Sequence, residues 1–127
     1  MPIEHVAVWT PDPERLAAFY ARYFAAVVGP KYTNPRTGFE SYFLRFEGGA
    51  RLEVMRSPQV TSGGSPDPHF GYAHLALSVG SEAEVDRLTE RLRGDGYSVV
   101  DGPRRTGDGY YESVVLDPDG NRVEITV

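Results

Sequence analysis

With 127 residues, 40% of them hydrophobic and 24% charged, the chain has the make-up of one globular domain, able to bury about two thirds of the surface its unfolded form exposes. A formal net charge of -5 gives no basic footprint for a phosphate backbone or an anionic membrane surface, so neither nucleic acid nor membrane is an expected partner. The absence of cysteine removes disulfides, thiolate nucleophiles and cysteine-ligated metal centres, and leaves imidazole and carboxylate as metal donors. No apolar run approaches the roughly 18 to 20 residues that span a bilayer and no apolar leader opens the sequence, so the expected location is the cytoplasm.

The first predicted element is a strand over Ile3 to Trp9, which carries Glu4 and His5 in an otherwise apolar run. Thr10, Pro11, Asp12 and Pro13 then signal a helix entry, and Leu16, Phe19, Tyr20 and Tyr23, spaced by three and four, predict one apolar helix face from about Pro13 to Ala26, ended by Gly29 and Pro30. A short strand near Lys31 to Thr33 is followed by strand-like runs at Phe39 to Glu47 and Ala50 to Met55, joined at Gly48 and Gly49 as a hairpin. Ser57 to Pro68 is rich in Ser, Gly and Pro, has no period, and reads as a linker; the whole join spans 57–70. His69, before Phe70 at its end, is expected to be exposed and non-catalytic.

The pattern then restarts. "YAHLALSV" at Tyr72 to Val79 predicts a strand with a histidine at its third place, and "SEAEVDRLTERLRGDG" a helix with a Ser81 to Glu84 capping box and Val85, Leu88 and Leu92 on one face. "YSVVDGP", "YYESVVLDPDG" and "NRVEITV" predict three strands, the last two joined by the turn Asp117-Pro118-Asp119-Gly120. The fold class is therefore α+β, one domain over 1–127 made of two β-α-β-β-β modules, 1–56 and 71–127.

His5 and His74 stand 69 positions apart, and Glu53 in "RLEVM" and Glu124 in "RVEIT" 71, so four candidate ligands obey one internal repeat within two residues. A lone histidine in a strand is more often a hydrogen-bonded residue than a ligand, and a strand glutamate usually faces water. Here, however, Leu52, Val54, Val123 and Ile125 flank the glutamates and point to the opposite face, where a core belongs. If the two modules curve as a mixed sheet around a common cleft, two imidazoles and two carboxylates meet there. A divalent cation such as nickel, zinc, cobalt, manganese or iron would offset the cost of gathering them.

Three segments carry a family resemblance: "HVAVWTPDPERLAAFY", "GYAHLALSV" and, most specifically, "VVLDPDGNRVEI". Over essentially its whole length the chain resembles the vicinal oxygen chelate superfamily, which includes glyoxalase I, bleomycin-resistance proteins and extradiol dioxygenases. The resemblance implies metal ligands at His5, Glu53, His74 and Glu124, a set similar to that of a glyoxalase I with a non-zinc metal preference. It also implies a homodimer and a small α-oxo or thiol-adduct substrate, with Glu124 or Glu53 as the proton-moving base. Dioxygenases of the superfamily have a three-ligand set with no acid at the position of Glu53, so that residue argues against oxygen chemistry. The same superfamily suggests a fosfomycin-type thiol transferase, whose basic cluster is not evident, and a metal-free bleomycin-resistance-like binding protein. The net acidity and 8 tyrosines permit the last, but it has no need of matched histidines. The bacterial glyoxalase carries an arginine for the glutathione carboxylate where this chain has Trp9. Arg104 and Arg105 are the candidate replacements for that anion site, the alternative being solvated loop charges, and Tyr110 or Tyr111 is a candidate lining residue.

Overall fold

The computed structural model describes residues 1–61 and 70–127. The chain forms two compact units, Met1–Gly64 and Ser65–Val127, each a helix packed on its own sheet. The linker reading of 57–68 and the expectation for His69 fall largely or wholly outside the described residues.

In the first unit the order is β1 (His5–Trp9), α1 (Pro13–Phe24), β2 (Val27–Val28), β3 (Tyr32–Thr33), β4 (Glu40–Arg45) and β5 (Arg51–Arg56). Its sheet runs β1-β5-β4-β2, with β3 also on β4; β1 and β5 are parallel and the other pairs antiparallel. Asp12 caps α1 by accepting the Arg15 N–H at 2.9 Å, which satisfies one of the free donors of the first turn. Leu16, Phe19, Tyr20 and Tyr23 are all buried, as their spacing predicts, and lie over a sheet face that includes buried Leu44, Leu52 and Val54.

The second unit follows the same plan with one strand fewer, as β6 (Leu75–Ser78), α2 (Glu82–Gly94), β7 (Val99–Arg105), β8 (Tyr111–Leu116) and β9 (Arg122–Thr126), in sheet order β6-β9-β8-β7 with β6 and β9 parallel. Val85, Leu88 and Leu92 of α2 are buried on its sheet, and the Thr89 hydroxyl meets the Ser113 hydroxyl at 2.6 Å in the same layer. Asp117 builds the β8–β9 turn: one carboxylate oxygen accepts the Asp119 and Asn121 N–H groups, each at 2.9 Å, while Gly120 takes φ +83°.

Several boundaries differ from the expectation. The first strand starts at His5, and Ile3 is exposed. Helix α1 stops at Phe24 because Ala25 takes the left-handed conformation, φ 54°, with no glycine to announce it. Val27 and Val28, placed in the helix tail and loop, pair instead with Arg45 and Leu44 of β4. In α2 the capping box is half formed: Ser81 accepts the Glu84 N–H at 3.3 Å, whereas the Glu84 carboxylate is held by Arg87. Strand β7 extends through Arg104 and Arg105, which were expected in a loop.

Candidate functional site

The parallel pairing of the first and last strand of each unit brings a histidine and a glutamate together. Ala7 pairs with Glu53 in the first sheet, and Ala76 pairs with Glu124 in the second. Each histidine stands two positions before its alanine, so strand alternation puts His5 and Glu53 on one face, and likewise His74 and Glu124. His74 lies just ahead of β6. The imidazole Nε2 of His5 is 3.8 Å from a Glu53 carboxylate oxygen, and that of His74 is 3.2 Å from Glu124. Exposure repeats as well: the imidazoles are 41% and 42% accessible and the carboxylate side chains 15% and 14%. Leu52, Val54, Val123 and Ile125, the neighbours of the two glutamates, are buried on the opposite, helix-bearing faces.

Around the first pair the sheet face is aromatic. Phe43, paired with Glu53 across β4 and β5, sets its ring edge to face with His5 at 5.5 Å between centroids. Trp9 is two residues beyond Ala7 on the same face, half exposed, and packs at right angles on Phe39 at 6.3 Å. His5 Nδ1 is hydrogen-bonded to Glu4, whose other oxygen is paired with Arg51.

Around the second pair the face is acidic. Val114 pairs with Glu124, and two residues earlier Glu112 pairs with Thr126, so Glu112 joins Glu124 on that face. Burial, a hydrogen bond to Glu124 and the charge of Glu124, in that order, raise the Glu112 carboxyl above its ordinary value of 4.5, against an opposing pull from Arg104. Arg104 pairs with Glu112 across β7 and β8 and shares its face, but its guanidinium is held by Asp101 at 2.8 Å. Arg105 turns to the helix face, bonding Glu82 and lying 5.6 Å over the Tyr111 ring. Tyr111 points the same way, its hydroxyl donating to Asp86 of α2 at 2.7 Å. Tyr110 precedes β8 in a turn closed on Thr106 and is exposed. The two arginines are thus strand residues that remain half exposed and have acidic partners.

Glu112 and Glu4 were missed as site residues. The β8–β9 turn held a signal for the first, because pairing Leu116 with Arg122 carries Glu112 to the face of Glu124. For Glu4 the strand expectation was itself misleading: alternation would turn it away from His5, but it lies before β1 and its side chain folds back.

Both pairs suit a divalent cation. Each offers an imidazole nitrogen and a largely buried carboxylate, and among the described residues the ion-pair partners of Glu53 and Glu124 are these histidines, which carry charge only when protonated. A bound cation would supply the missing positive charge. Among the described residues no group of three or more such donors is arranged to hold a metal; each unit contributes two.

The family model described as Glyoxalase/Bleomycin resistance protein/Dioxygenase superfamily matches residues 2–125. The chain belongs to this superfamily. One relative within reach by sequence is the uncharacterized protein YqjT of Bacillus subtilis (strain 168), 40% identical over 97% of this chain and 96% of its own length. Among solved structures, a glyoxalase family protein from Enterococcus faecalis is 25% identical, with a TM-score of 0.78 over 98% of this chain and 96% of that one. The trypanothione-dependent glyoxalase I of Leishmania major also has a TM-score of 0.78, over 99% of this chain and 86% of that chain; at 22% identity it attests the shared fold. The α+β class and the resemblance drawn from the three sequence segments are thereby confirmed.

Proposed function

We propose that this superfamily member is a divalent-metal-dependent lyase or isomerase of glyoxalase type, with His5, Glu53, His74 and Glu124 as the metal ligands. The observation that supports it most is the duplicated pair: the same two donor types, in the same strand register, with the same exposure, in both units. A metal-free binding protein has no use for that duplication.

When bound, the metal would polarise a carbonyl oxygen of a small α-oxo or thiol-adduct substrate and stabilise the negative charge that develops there. The chain's own part is proton transfer and orientation. A carboxylate oxygen of Glu124 or Glu53 takes the proton from one carbon and returns it to its neighbour, which needs no serine or cysteine nucleophile. Trp9, exposed beside Phe39, offers an apolar wall for the substrate, and Arg104, on the face of Glu124, is the better placed of the two arginines for an anionic group. We take the working form to be a homodimer.

Elemental analysis of protein purified without a metal-binding tag is the test. About one divalent ion per chain, lost in His5→Ala and in Glu124→Ala, is the expected result and would justify screening methylglyoxal thiol adducts. No metal at any loading, with both variants folded, would overturn the reading in favour of a metal-free binding module. Once activity is in hand, Glu53→Gln and Glu124→Gln, compared at equal metal content, assign the base, the true one losing about 100-fold or more in kcat.

A further inference from the structure

Among the described residues, a side chain holds Nδ1 of His5 and none is seen to hold that of His74. Nδ1 of His5 is hydrogen-bonded to one oxygen of Glu4; the other oxygen is bonded to the Arg51 guanidinium. Arg51 is itself fixed twice more, by its backbone N–H donating to the Glu4 carbonyl at 3.0 Å and by lying 4.2 Å over the Phe43 ring that abuts His5. Because a carboxylate only accepts, the proton in the Glu4 bond sits on Nδ1, and in the neutral ring Nε2 is left with a free lone pair turned toward Glu53. The position before His74, by contrast, is Ala73, which has no acceptor side chain. His74 Nε2 lies 3.2 Å from a Glu124 carboxylate oxygen.

We infer that Glu4, braced by Arg51, is a positioning residue that locks His5 in the Nδ1-protonated tautomer with the Nε2 lone pair presented as a ligand, an arrangement that no side chain gives His74 among the described residues. The inference rests on the reading of His5 as a metal ligand only for its purpose; the locked tautomer is a property of the metal-free chain. Carboxylates that orient ligating histidines typically contribute 10- to 100-fold in metal affinity. The Glu4 side chain is exposed, so water competes for its bonds and the low end of that range, about tenfold, is the expected effect.

The experiment uses ¹⁵N-labelled protein stripped of metal, at a pH where both imidazoles are neutral. Long-range proton–nitrogen spectra should show His5 as a single Nδ1-protonated tautomer. Glu4→Ala should lose that tautomer while leaving the His74 signals unchanged, which also serves as the check that the second unit is intact. Glu4→Gln keeps an acceptor oxygen without the charge and should retain the wild-type pattern. Calorimetry with Ni²⁺ alone should then show weaker binding by about tenfold in Glu4→Ala and by less in Glu4→Gln. A His5 tautomer that survives Glu4→Ala, or a Glu4→Gln that behaves like Glu4→Ala, overturns the inference. If the wild type shows the locked tautomer but takes up no Ni²⁺, the metal reading falls and the positioning role of Glu4 stands. If it binds Ni²⁺ and Glu4→Ala binds equally well, the reverse holds.

Discussion

Glu112 carries the sharpest consequence at the scale of one residue. Its carboxyl is pushed up by burial and by the Glu124 carboxylate, so the folded, metal-free chain holds a proton that the unfolded chain gives up near the ordinary value of 4.5. The sign follows from linkage: the associated stability is present below that value and is lost as pH rises through the higher folded value. Glu112→Gln, which stays neutral, should abolish this loss. Urea midpoints of metal-free wild type and Glu112→Gln from about pH 4 to about pH 7 measure it, and the wild type should weaken relative to the variant as pH rises. A difference that stays flat with pH would show that Glu112 ionises as an ordinary surface carboxylate. Because Glu112 bonds Glu124, the comparison reads the protonation of the pair and not of one side chain alone. The same proximity bears on metal uptake, because a cation at Glu124 would draw the Glu112 proton off.

Among the elements, β7 shows how backbone chemistry aims a side chain. Its register to β8 slips between Asp101, opposite Val114, and Arg104, opposite Glu112, so one extra residue is accommodated in β7. Gly102 sits in that irregularity with φ +72°, and a Cβ there would lie 2.5 Å from the Glu112 carbonyl oxygen. Gly102→Ala should therefore destabilise by more than about 1 kcal/mol and disturb the strand that carries Glu112. Gly109 in the same unit also has a positive φ, +97°, but no atom within 4 Å of the would-be Cβ, so Gly109→Ala should cost less. Chemical denaturation of the two variants separates the close approach from the backbone strain, and equal losses would show that contact with Glu112 is unimportant. The bulge also marks where the sequence stops being informative. "YSVVDGP" and "YYESVVL" announce two strands, and the aspartate turn fixes the β8–β9 register, but nothing local fixes a slip that depends on two strands meeting. The same holds at Ala25, where tertiary pairing of Val27 and Val28 with β4 decides the helix end that the Gly29-Pro30 signal placed later. Apolar periodicity, by contrast, was sufficient for Leu16, Phe19, Tyr20 and Tyr23 and for Val85, Leu88 and Leu92, because burial of a face is what selects those residues.

For the whole molecule, the repeat was legible because it is written twice. The spacings of His5, Glu53, His74 and Glu124 agreed within two residues, and the strand registers turn that near-agreement into the same pairing, an alanine opposite the glutamate and a histidine two positions before it. What the spacings could not carry was the difference between the halves, aromatic and braced by Glu4 around His5, acidic with Glu112 around His74, since neighbours on adjacent strands are set by register. That asymmetry sharpens the test of whether the two pairs act as one set. A ligand that binds only the folded chain stabilises it by mass action, about 2.7 kcal/mol at a hundredfold excess over its Kd. If the four donors hold one ion, Ni²⁺ should raise the thermal midpoint of the wild type, and His5→Ala and His74→Ala should each lose nearly all of that rise, since either removal leaves an incomplete set. If each pair held an ion by itself, each variant would keep the stabilisation owed to the other half. Thermal unfolding with and without Ni²⁺ in the wild type, the two single variants and the double variant distinguishes the outcomes: near-identical losses in all three variants mean one shared ion, and additive losses mean two separate weak sites.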